Sequence, residues 1–415
     1  MSTTAHILPT TEIQSPTDQA SVAALIRGAF ESETPVYPIG GGTCLDYGGV
    51  PTLPGLGVSL AKLHRVVDYP ARDLTITVEA GVTLAELSKH LARERQRLPV
   101  DIPRPGEATL GGVVATSPSG PRRYRWGTMR DYVIGATAVD GRGTLFSAGG
   151  RVVKNAAGYD LCRLLTGSLG TVGVMTQVTL MVKPIPETSA LISCPLPEPR
   201  TAERLLDQLV HTKTLPVAVE ILAGPAWQDD SALSSEGFAL LVVGYEGTGD
   251  EVKWMVATLA DEWSRQGVST TATVADRKAD ALWSRLTEFP VVDGRQNGSG
   301  PLVAKLAVLP SATIALVEML RRRMPECSLH THAGNGIIRL RVEVEPGEVA
   351  SLLKDRLRPS VEEAGGQMVV MSSPRGTELG REAVWGPPGD GLTVMQAIKD
   401  RFDPKGILNP GRFFG

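Results

Sequence analysis

The sequence predicts an α+β protein with a glycine-rich first domain, a ferredoxin-like second domain and a tail that returns to the first. Residues 36–185 hold 22 of the 45 glycines, which gives this region its own backbone character. The proline-marked segment 183–187 then predicts a domain boundary. After it, the predicted elements follow the order β-α-β-β-α-β, which is typical of ferredoxin-like folds. We therefore predict domains at residues 1–185 and 186–375, and a C-terminal segment at 376–415.

Periodicity and capping residues predict the elements of the first domain. An amphipathic helix is expected over residues 18–30, with Thr17 as its cap. The further elements are strands at 36–39 and 74–79, a capping box at 83–86 that opens a helix, and a hairpin over 134–146. The uncharged run 164–182 is nearly long enough to span a bilayer, but its glycines and threonines favour a buried turn followed by a strand.

Two similar sets of elements are predicted after the boundary. The first has strands at 189–196, 217–222, 238–245 and 270–274, and helices at 201–210 and 250–265. The second has strands at 303–308, 329–332, 337–342 and 368–370, and helices at 311–323 and 349–364. No repeat is visible at the level of residues, so the resemblance between the two sets is one of pattern.

Composition excludes several classes of function. Lys and Arg number 42 against 45 Asp and Glu, so no global charge favours nucleic acid or an anionic membrane. The four cysteines form no C-x-x-C pair, so this chain is not expected to hold an iron–sulfur cluster by itself. The first residues lack the features of a signal peptide. We expect a cytoplasmic protein without direct membrane insertion, for which any attachment at the inner membrane would come through partners.

Five glycine-rich segments lie in the first domain. They begin at Gly40-Gly41-Gly42-Thr43 and continue at 103–112, 126–131, 149–160 and 167–173. Neither a P-loop nor a Rossmann fingerprint is present. One triple glycine could equally be a tight turn, but five such segments suggest backbone that lines an extended polar ligand from several sides.

In this order, the segments resemble the FAD-binding domain of the vanillyl-alcohol oxidase and D-2-hydroxyacid dehydrogenase superfamily. The similarity covers residues 36–185 and extends to the closing segment 402–411. More narrowly, the segment 151–160 is similar to the FAD-binding E subunits of bacterial glycolate oxidases. The resemblance implies a two-subdomain FAD-binding domain followed by the ferredoxin-like substrate or cap domain.

The resemblance also implies which residues contact FAD. Gly40, Gly41, Gly42 and Thr43 would hold the diphosphate, and the remaining positions would lie along the rest of the cofactor: Thr109, Gly111, Gly112, Gly127, Asp131, Gly170, Thr171, Val174 and Asn409. Some relatives attach FAD covalently through a histidine just after the glycine-rich run. Thr43 or Cys44 takes that place here, so we expect non-covalent FAD, with attachment to Cys44 as a minor alternative.

Catalytic relatives carry a metal-associated motif that resembles His-x-Gly-Asp-Gly-Asn-x-His. This chain has Thr331-His332-Ala333-Gly334-Asn335-Gly336 followed by Arg339, so the first histidine remains and the second does not. The candidate catalytic residues are His332, Arg339 as a carboxylate clamp and Lys305 as a second substrate-binding cation. The alternatives are an interface polar residue, a strand-surface charge and a solvated lysine. His330 could join His332 on a metal, but no carboxylate lies nearby in the sequence, so no metal is predicted.

A basic run, Arg122 to Trp126, interleaves cations with aromatic side chains. This pattern can indicate nucleic-acid binding, but the run is short and isolated. We favour a solvated loop or a contact with an acidic partner subunit, and we predict no nucleic-acid partner.

Three functions remain compatible with the sequence. The first is the FAD-binding subunit of a glycolate oxidase complex, in which a larger FAD-linked catalytic subunit and an iron–sulfur subunit are the partners and electrons leave through the latter. The second is a self-sufficient FAD-dependent dehydrogenase of a small 2-hydroxy acid such as glycolate or lactate. The third is a non-catalytic subunit of the same complex.

Overall fold

A computed structural model describes residues 8–150, 159–228, 237–268, 272–291 and 300–413. The segment 151–158, which carries most of the similarity to the glycolate oxidase subunits, lies outside them. Within this described part, no helix is long and apolar enough to cross a membrane.

The described residues form eighteen strands. They are β1 (Thr10–Gln14), β2 (Val36–Ile39), β3 (Gly55–Ser59), β4 (Val66–Asp68), β5 (Thr75–Glu79), β6 (Gln96–Arg97), β7 (Val133–Val139), β8 (Leu145–Gly149), β9 (Val174–Met181), β10 (Lys183–Pro184), β11 (Thr188–Leu196), β12 (Ala218–Ala223), β13 (Ala239–Gly247), β14 (Ala272–Ala275), β15 (Pro301–Ala307), β16 (Ser328–His332), β17 (Ile337–Glu343) and β18 (Gln367–Ser372).

Fourteen α-helical segments accompany these strands in the described ranges. They are α1 (Gln19–Glu31), α2 (Leu84–Ala92), α3 (Leu110–Thr116), α4 (Arg123–Trp126), α5 (Met129–Tyr132), α6 (Leu161–Leu165), α7 (Pro199–Val210), α8 (Gly249–Arg265), α9 (Asp276–Glu288), α10 (Thr313–Arg323), α11 (Val349–Ser351), α12 (Arg358–Glu363), α13 (Arg381–Trp385) and α14 (Leu392–Phe402). A π-helical segment, Leu352–Leu357, joins α11 to α12.

The first domain contains a three-stranded parallel sheet, β1-β3-β2, and a five-stranded antiparallel sheet, β4-β5-β9-β7-β8. The apolar face of α1 buries Val22 and Ile26 against the smaller sheet. The predicted cap of this helix is wrong by one residue, because Asp18 accepts the Ser21 N–H at 2.7 Å. The predicted capping box at Thr83 and Glu86 is confirmed.

The second domain is built on one continuous sheet in the order β14-β11-β13-β12-β16-β17-β15-β18. Its first four strands and its last four strands each have the strand order of a ferredoxin-like fold. The two sets therefore share a sheet, and β12 pairs antiparallel with β16 where they meet. The sequence predicted both sets of elements but not the pairing of β12 with β16. We call this pairing the seam.

The C-terminal segment packs on the first domain. Leu408 forms a parallel bridge with Val36, and the Asn409 backbone N–H donates to the Val36 carbonyl at 2.8 Å. The Asn409 side chain donates to the Leu169 carbonyl at 2.6 Å. These contacts hold the tail against the glycine-rich region.

The basic run contacts the chain's own second domain. Arg122 pairs with Asp101 of the first domain at 2.5 Å and with Glu246 of β13 at 2.6 Å. Its neighbour Tyr124 packs its ring on Gly334, so closely that a Cβ there would lie 2.1 Å from the ring. The run is therefore a short helix at the contact between the two domains and not a solvated loop, while a contact with a partner subunit stays a prediction.

Candidate active site

A cleft opens in the first domain beside the C-terminal segment. Ten of the predicted cofactor residues line it: Gly40, Gly41, Gly42, Thr43, Thr109, Gly111, Gly112, Gly170, Val174 and Asn409. The strand β2 delivers the first four residues, and the start of α3 delivers the next three. Sequence positions more than 360 residues apart thus meet around one cavity.

Close packing of two loops explains why Gly40 and Gly41 are glycines. A Cβ on Gly41 would lie 1.7 Å from the Glu107 carbonyl oxygen, and a Cβ on Gly40 would lie 2.2 Å from the Thr109 hydroxyl. At Gly41 no other residue allows this approach without moving the backbone, and at Gly40 a side chain would displace the Thr109 hydroxyl. The two loops form a narrow cradle lined by backbone, as an extended diphosphate requires.

Three predicted cofactor residues do not line the cleft. Asp131 caps α5 by accepting the Thr128 N–H at 2.8 Å, and Gly127 sits directly against that carboxylate with a φ of +78°. Thr171 is buried. Its hydroxyl donates to the Ser168 carbonyl, and its backbone carbonyl accepts a hydrogen bond from Lys399. These residues shape the backbone around the cleft.

An unpartnered polar atom inside the cleft fits a bound group. The hydroxyl of Thr109 is buried and has no hydrogen-bond partner among the described residues. Burying a hydroxyl without a partner is unfavourable, so this atom is available to a ligand. Together with the glycine cradle, it makes the residues present suitable for FAD.

Sequence reasoning missed two residues of the cleft wall, Tyr47 and Arg412. The ring of Tyr47 lies 5.7 Å from that of Trp385 at a tilt of 47°, and Arg412 donates to the Tyr47 and Gly49 carbonyls. No local motif marks either residue, since both are brought in by packing of the tail. Cys44 also lines the cleft, and burial raises the pKa of its thiol, so the nucleophilic thiolate is disfavoured.

A polar face of the second-domain sheet carries the predicted catalytic residues. His330 of β16, Arg339 of β17 and Lys305 of β15 stand directly opposite one another in neighbouring strands. His332 and Glu220 form the adjacent cross-strand pair on the seam. The residues predicted as catalytic are thus gathered on one face by register.

Arg339 is a buried cation without a carboxylate partner in the described part of the chain. Its guanidinium is 3% exposed and donates to the Ser119 carbonyl of the first domain at 3.1 Å and to the sulfur of Met371. Burial lowers its pKa to about 10, while Tyr47 raises it. Because Tyr47 lines the cleft, this charge lies within electrostatic reach of the cofactor site.

Lys305 adds a second positive charge to the same face. Burial, together with the charges of Arg339 and Arg123, lowers the pKa of its ammonium to about 8. The described residues offer Lys305 neither a hydrogen bond nor an ion pair. Uncompensated cations of this kind favour an anionic ligand.

The seam also supplies a carboxylate that the sequence did not place near the histidines. Glu220 Oε2 lies 2.8 Å from His330 Nε2 and 2.7 Å from His332 Nδ1. All three side chains are buried, and burial raises the pKa of Glu220 while it lowers those of both histidines. Glu220 Oε1 and His332 Nε2 remain buried without a partner among the described residues.

These three side chains could offer ligand atoms to a metal ion, since the atoms lie within 4.8 Å of one another. The surroundings do not fit a cation, however. Burial lowers the pKa of His332, and so do His330 and the charges of Arg339, Arg123 and Lys305. The surroundings therefore already repel a positive charge. Both imidazoles also contact one carboxylate oxygen at hydrogen-bond distance. The cluster fits a proton-holding group better, and the absence of a metal remains a prediction.

Two protein families match the chain. Residues 12–149 match the FAD binding domain family, and residues 185–376 and 386–413 match the C-terminal domain of FAD linked oxidases. The second match alone covers more than half of the chain.

Individual relatives align over nearly the whole length. A D-lactate dehydrogenase of Archaeoglobus fulgidus is 30% identical, with 96% of this chain and 90% of that protein covered. The glycolate oxidase subunit GlcD of Bacillus subtilis is 24% identical over 96% of this chain and 88% of its own length. A mitochondrial D-2-hydroxyglutarate dehydrogenase of Bos taurus is 28% identical over 95% and 75%.

Solved structures share the fold at lower identity. A chitooligosaccharide oxidase superposes with a TM-score of 0.69 at 18% identity, covering 98% of this chain and 93% of that one. An alkyldihydroxyacetonephosphate synthase gives the same TM-score at 18% identity, over 96% and 76%. These two neighbours confirm the predicted fold class.

Proposed function

Because the chain belongs to the family of FAD-linked oxidases, we propose that it oxidises a small 2-hydroxy acid, glycolate in the first instance, as the FAD-binding subunit of a multi-subunit complex. The observation that carries this proposal is the buried Arg339, a guanidinium without a carboxylate partner in the described ranges, beside the FAD cleft. A 2-hydroxy acid supplies the missing carboxylate.

The proposed substrate is held by its carboxylate between Arg339 and Lys305. Arg339 recognises a carboxylate by paired hydrogen bonds, and Lys305 adds a point charge. When bound, FAD supplies the two-electron acceptor for the hydrogen on C2. The substrate hydroxyl then lies toward His332, whose unpartnered Nε2 is the acceptor for its proton.

A small substrate is favoured by the packing around these cations. Arg339 is covered by Ser119 and Met371, and Tyr124 closes over Gly334 at the end of β16. The names of the relatives point to the same chemistry, since they include D-lactate dehydrogenase and glycolate oxidase subunit GlcD. We accordingly place glycolate and lactate ahead of longer acids.

The proposed partners are a larger FAD-linked subunit and an iron–sulfur subunit. All four cysteines are free in the structure and lie on separate elements, so they offer no cluster site by which electrons could leave. The relative from Bacillus subtilis is itself named as a subunit. A self-sufficient dehydrogenase is the second candidate, supported by relatives that are named as dehydrogenases without mention of a subunit.

Anaerobic spectroscopy of the purified chain separates these candidates. The chain alone is expected to show the absorbance of oxidised flavin, and the flavin should be released on denaturation because its attachment is non-covalent. Glycolate and D-lactate are then added to the chain alone and to the chain mixed with its co-expressed partners. Bleaching that requires the partners supports the complex, whereas bleaching of the chain alone supports the self-sufficient enzyme. The flavin absorbance could also persist in both samples, with turnover by the complex unchanged in Arg339→Met. That result would show that the chain is a non-catalytic subunit.

A further inference from the structure

The seam between the two halves of the second-domain sheet joins a carboxylate to an imidazole. Glu220 comes from the first half and His332 from the second, 112 positions later, and the two are direct cross-strand partners. Residues opposite each other on an antiparallel pair have side chains close together on one face. The position of Glu220 is therefore set by register and does not depend on a loop.

The contacts of this pair determine which nitrogen of His332 is free. The proposal starts from the ionised form of Glu220. In that form the carboxylate only accepts hydrogen bonds, so the nitrogen that faces Oε2 at 2.7 Å, Nδ1 of His332, carries the hydrogen. The lone pair of the neutral ring then lies on Nε2, the buried atom without a partner among the described residues. Nε2 of His330 lies 2.8 Å from the same oxygen, so the ionised carboxylate accepts a hydrogen bond from both rings.

We propose that Glu220 is a positioning residue that fixes His332 with Nε2 as the proton acceptor, and that Glu220 is the site where the substrate hydroxyl proton comes to rest. This inference rests on the proposed oxidation of a 2-hydroxy acid. This role differs from that of a carboxylate that only orients the ring. The substrate proton passes through His332 to Glu220, so no buried imidazolium remains.

The charges that face Glu220 support this direction of transfer. His330 and His332 face it from β16, and Arg123 of α4 and Asp101 of the first domain act on it from a greater distance. Burial is the main cause of its raised pKa, Asp101 raises it further and Arg123 lowers it. A neutral carboxyl is therefore easier to hold here than a second cation beside Arg123.

The transfer balances in atoms and charge. When the C2–H bond breaks, a bound FAD would supply the acceptor for the hydrogen and its electron pair. The substrate O–H bond breaks, and its proton goes to Nε2 of His332. The Nδ1 proton passes to Oε2 of Glu220, so the carboxylate becomes a carboxylic acid and the ring stays neutral. The products are the 2-oxo acid, reduced FAD and protonated Glu220.

The test compares flavin reduction in four forms of the FAD-loaded protein, assembled with its partners where wild type requires them. Glu220→Gln removes the charge and the proton-accepting oxygen, and we expect reduction to slow by about 10²- to 10⁴-fold with little change in substrate Kd. Glu220→Asp keeps the carboxylate and should recover part of the rate. His330→Gln keeps an N–H donor toward Glu220 but leaves the carboxylate in place, and we expect it to slow reduction less than Glu220→Gln does.

Infrared difference spectroscopy of wild type, recorded before and after anaerobic substrate, provides a readout independent of rate. A carboxylic-acid carbonyl band that appears on reduction and is missing in Glu220→Gln supports the inference. An unchanged reduction rate in Glu220→Gln overturns it. Stoichiometric divalent metal in wild type, lost in Glu220→Gln, also overturns it, because the cluster would then be a metal site. Wild type that no 2-hydroxy acid reduces, alone or in complex, refutes the proposed function instead.

Discussion

Lys305 and Arg339 are direct cross-strand partners on β15 and β17, and both present their charges on the face that meets the first domain. Burial lowers the pKa of both side chains, and the charge of Arg339 lowers the pKa of Lys305 further, because adjacent cations repel each other. Such a pair is unfavourable in the empty protein, and a bound anion relieves it. The two charges that favour substrate binding therefore lower the stability of the folded protein.

Arg339→Met should weaken substrate binding without destabilising the fold. Loss of the guanidinium removes the main carboxylate contact, and the Kd for glycolate or D-lactate should rise by about 10²-fold, measured by flavin spectral change. The substitution removes a buried cation that has no carboxylate partner in the described part of the chain. The Tm should therefore stay the same or rise. Arg341→Met is the control, since Arg341 lies on the same strand face but half-exposed beside Glu343. A large fall in Tm with unchanged Kd would contradict the assignment.

Substrate affinity should fall above neutral pH. The pKa of Lys305 is lowered to about 8 by burial and by the neighbouring guanidinium groups, so the side chain is protonated below this pH and loses its charge above it. The Kd of glyoxylate, which binds without turnover, should therefore rise as the pH increases from 7 to 9. In Lys305→Met, the Kd should be higher at pH 7 and should no longer change over this interval. A pH dependence that persists in this variant would assign the titration to another group.

Gly41→Ala should lose FAD. The added Cβ would meet the Glu107 carbonyl oxygen at 1.7 Å, so the glycine loop or the 104–109 loop must move away from the cradle. We expect the ratio of flavin to protein absorbance to fall sharply and the Tm to drop by several degrees, about 1–3 kcal/mol. Gly106→Ala is the matched control in the facing loop, because its Cβ would meet nothing within 4 Å. Equal flavin content in the two variants would show that the cradle tolerates the movement.

The ion pairs between the domains should stabilise the fold in a pH-dependent way. Despite the opposing effect of burial, hydrogen bonds from Arg97 and the charge of Arg122 lower the pKa of Glu246 to about 2. This stabilisation is fully present above the ordinary glutamate pKa of 4.5 and is lost as pH falls toward 2. Glu246→Gln should lower the free energy of unfolding at pH 7 by about 3 kcal/mol, with a smaller difference at pH 3, measured by urea denaturation. Glu343→Gln removes one member of an exposed ion pair and should change the free energy of unfolding little. A similar loss in this variant would contradict the stabilising role of Glu246.

Local sequence was sufficient for most elements of the fold. The alternation of residues 75–79, the capping box at Thr83 and the loop 140–143 each specify a strand, a helix start or a turn through interactions a few residues apart. The glycine-rich loops were recognisable for the same reason, since positive φ and close backbone approach restrict the residue type directly. Gly127 and Thr171 lie outside the cleft lining, because glycine and threonine also serve turns and caps, and local spacing does not separate these uses.

The sequence by itself determined the two-part organisation, the glycine-rich segments that line the cleft and the presence of His332, Arg339 and Lys305 on strands. Only the tertiary structure decided that Glu220 meets His332, that Tyr47 joins the cleft to Arg339, and that the basic run at Arg122 closes the domain interface. The physical reason is that cross-strand register between separate halves, and the packing of one domain on another, arise from interactions between residues about 110 to 290 positions apart. No pattern of neighbouring residues encodes those interactions.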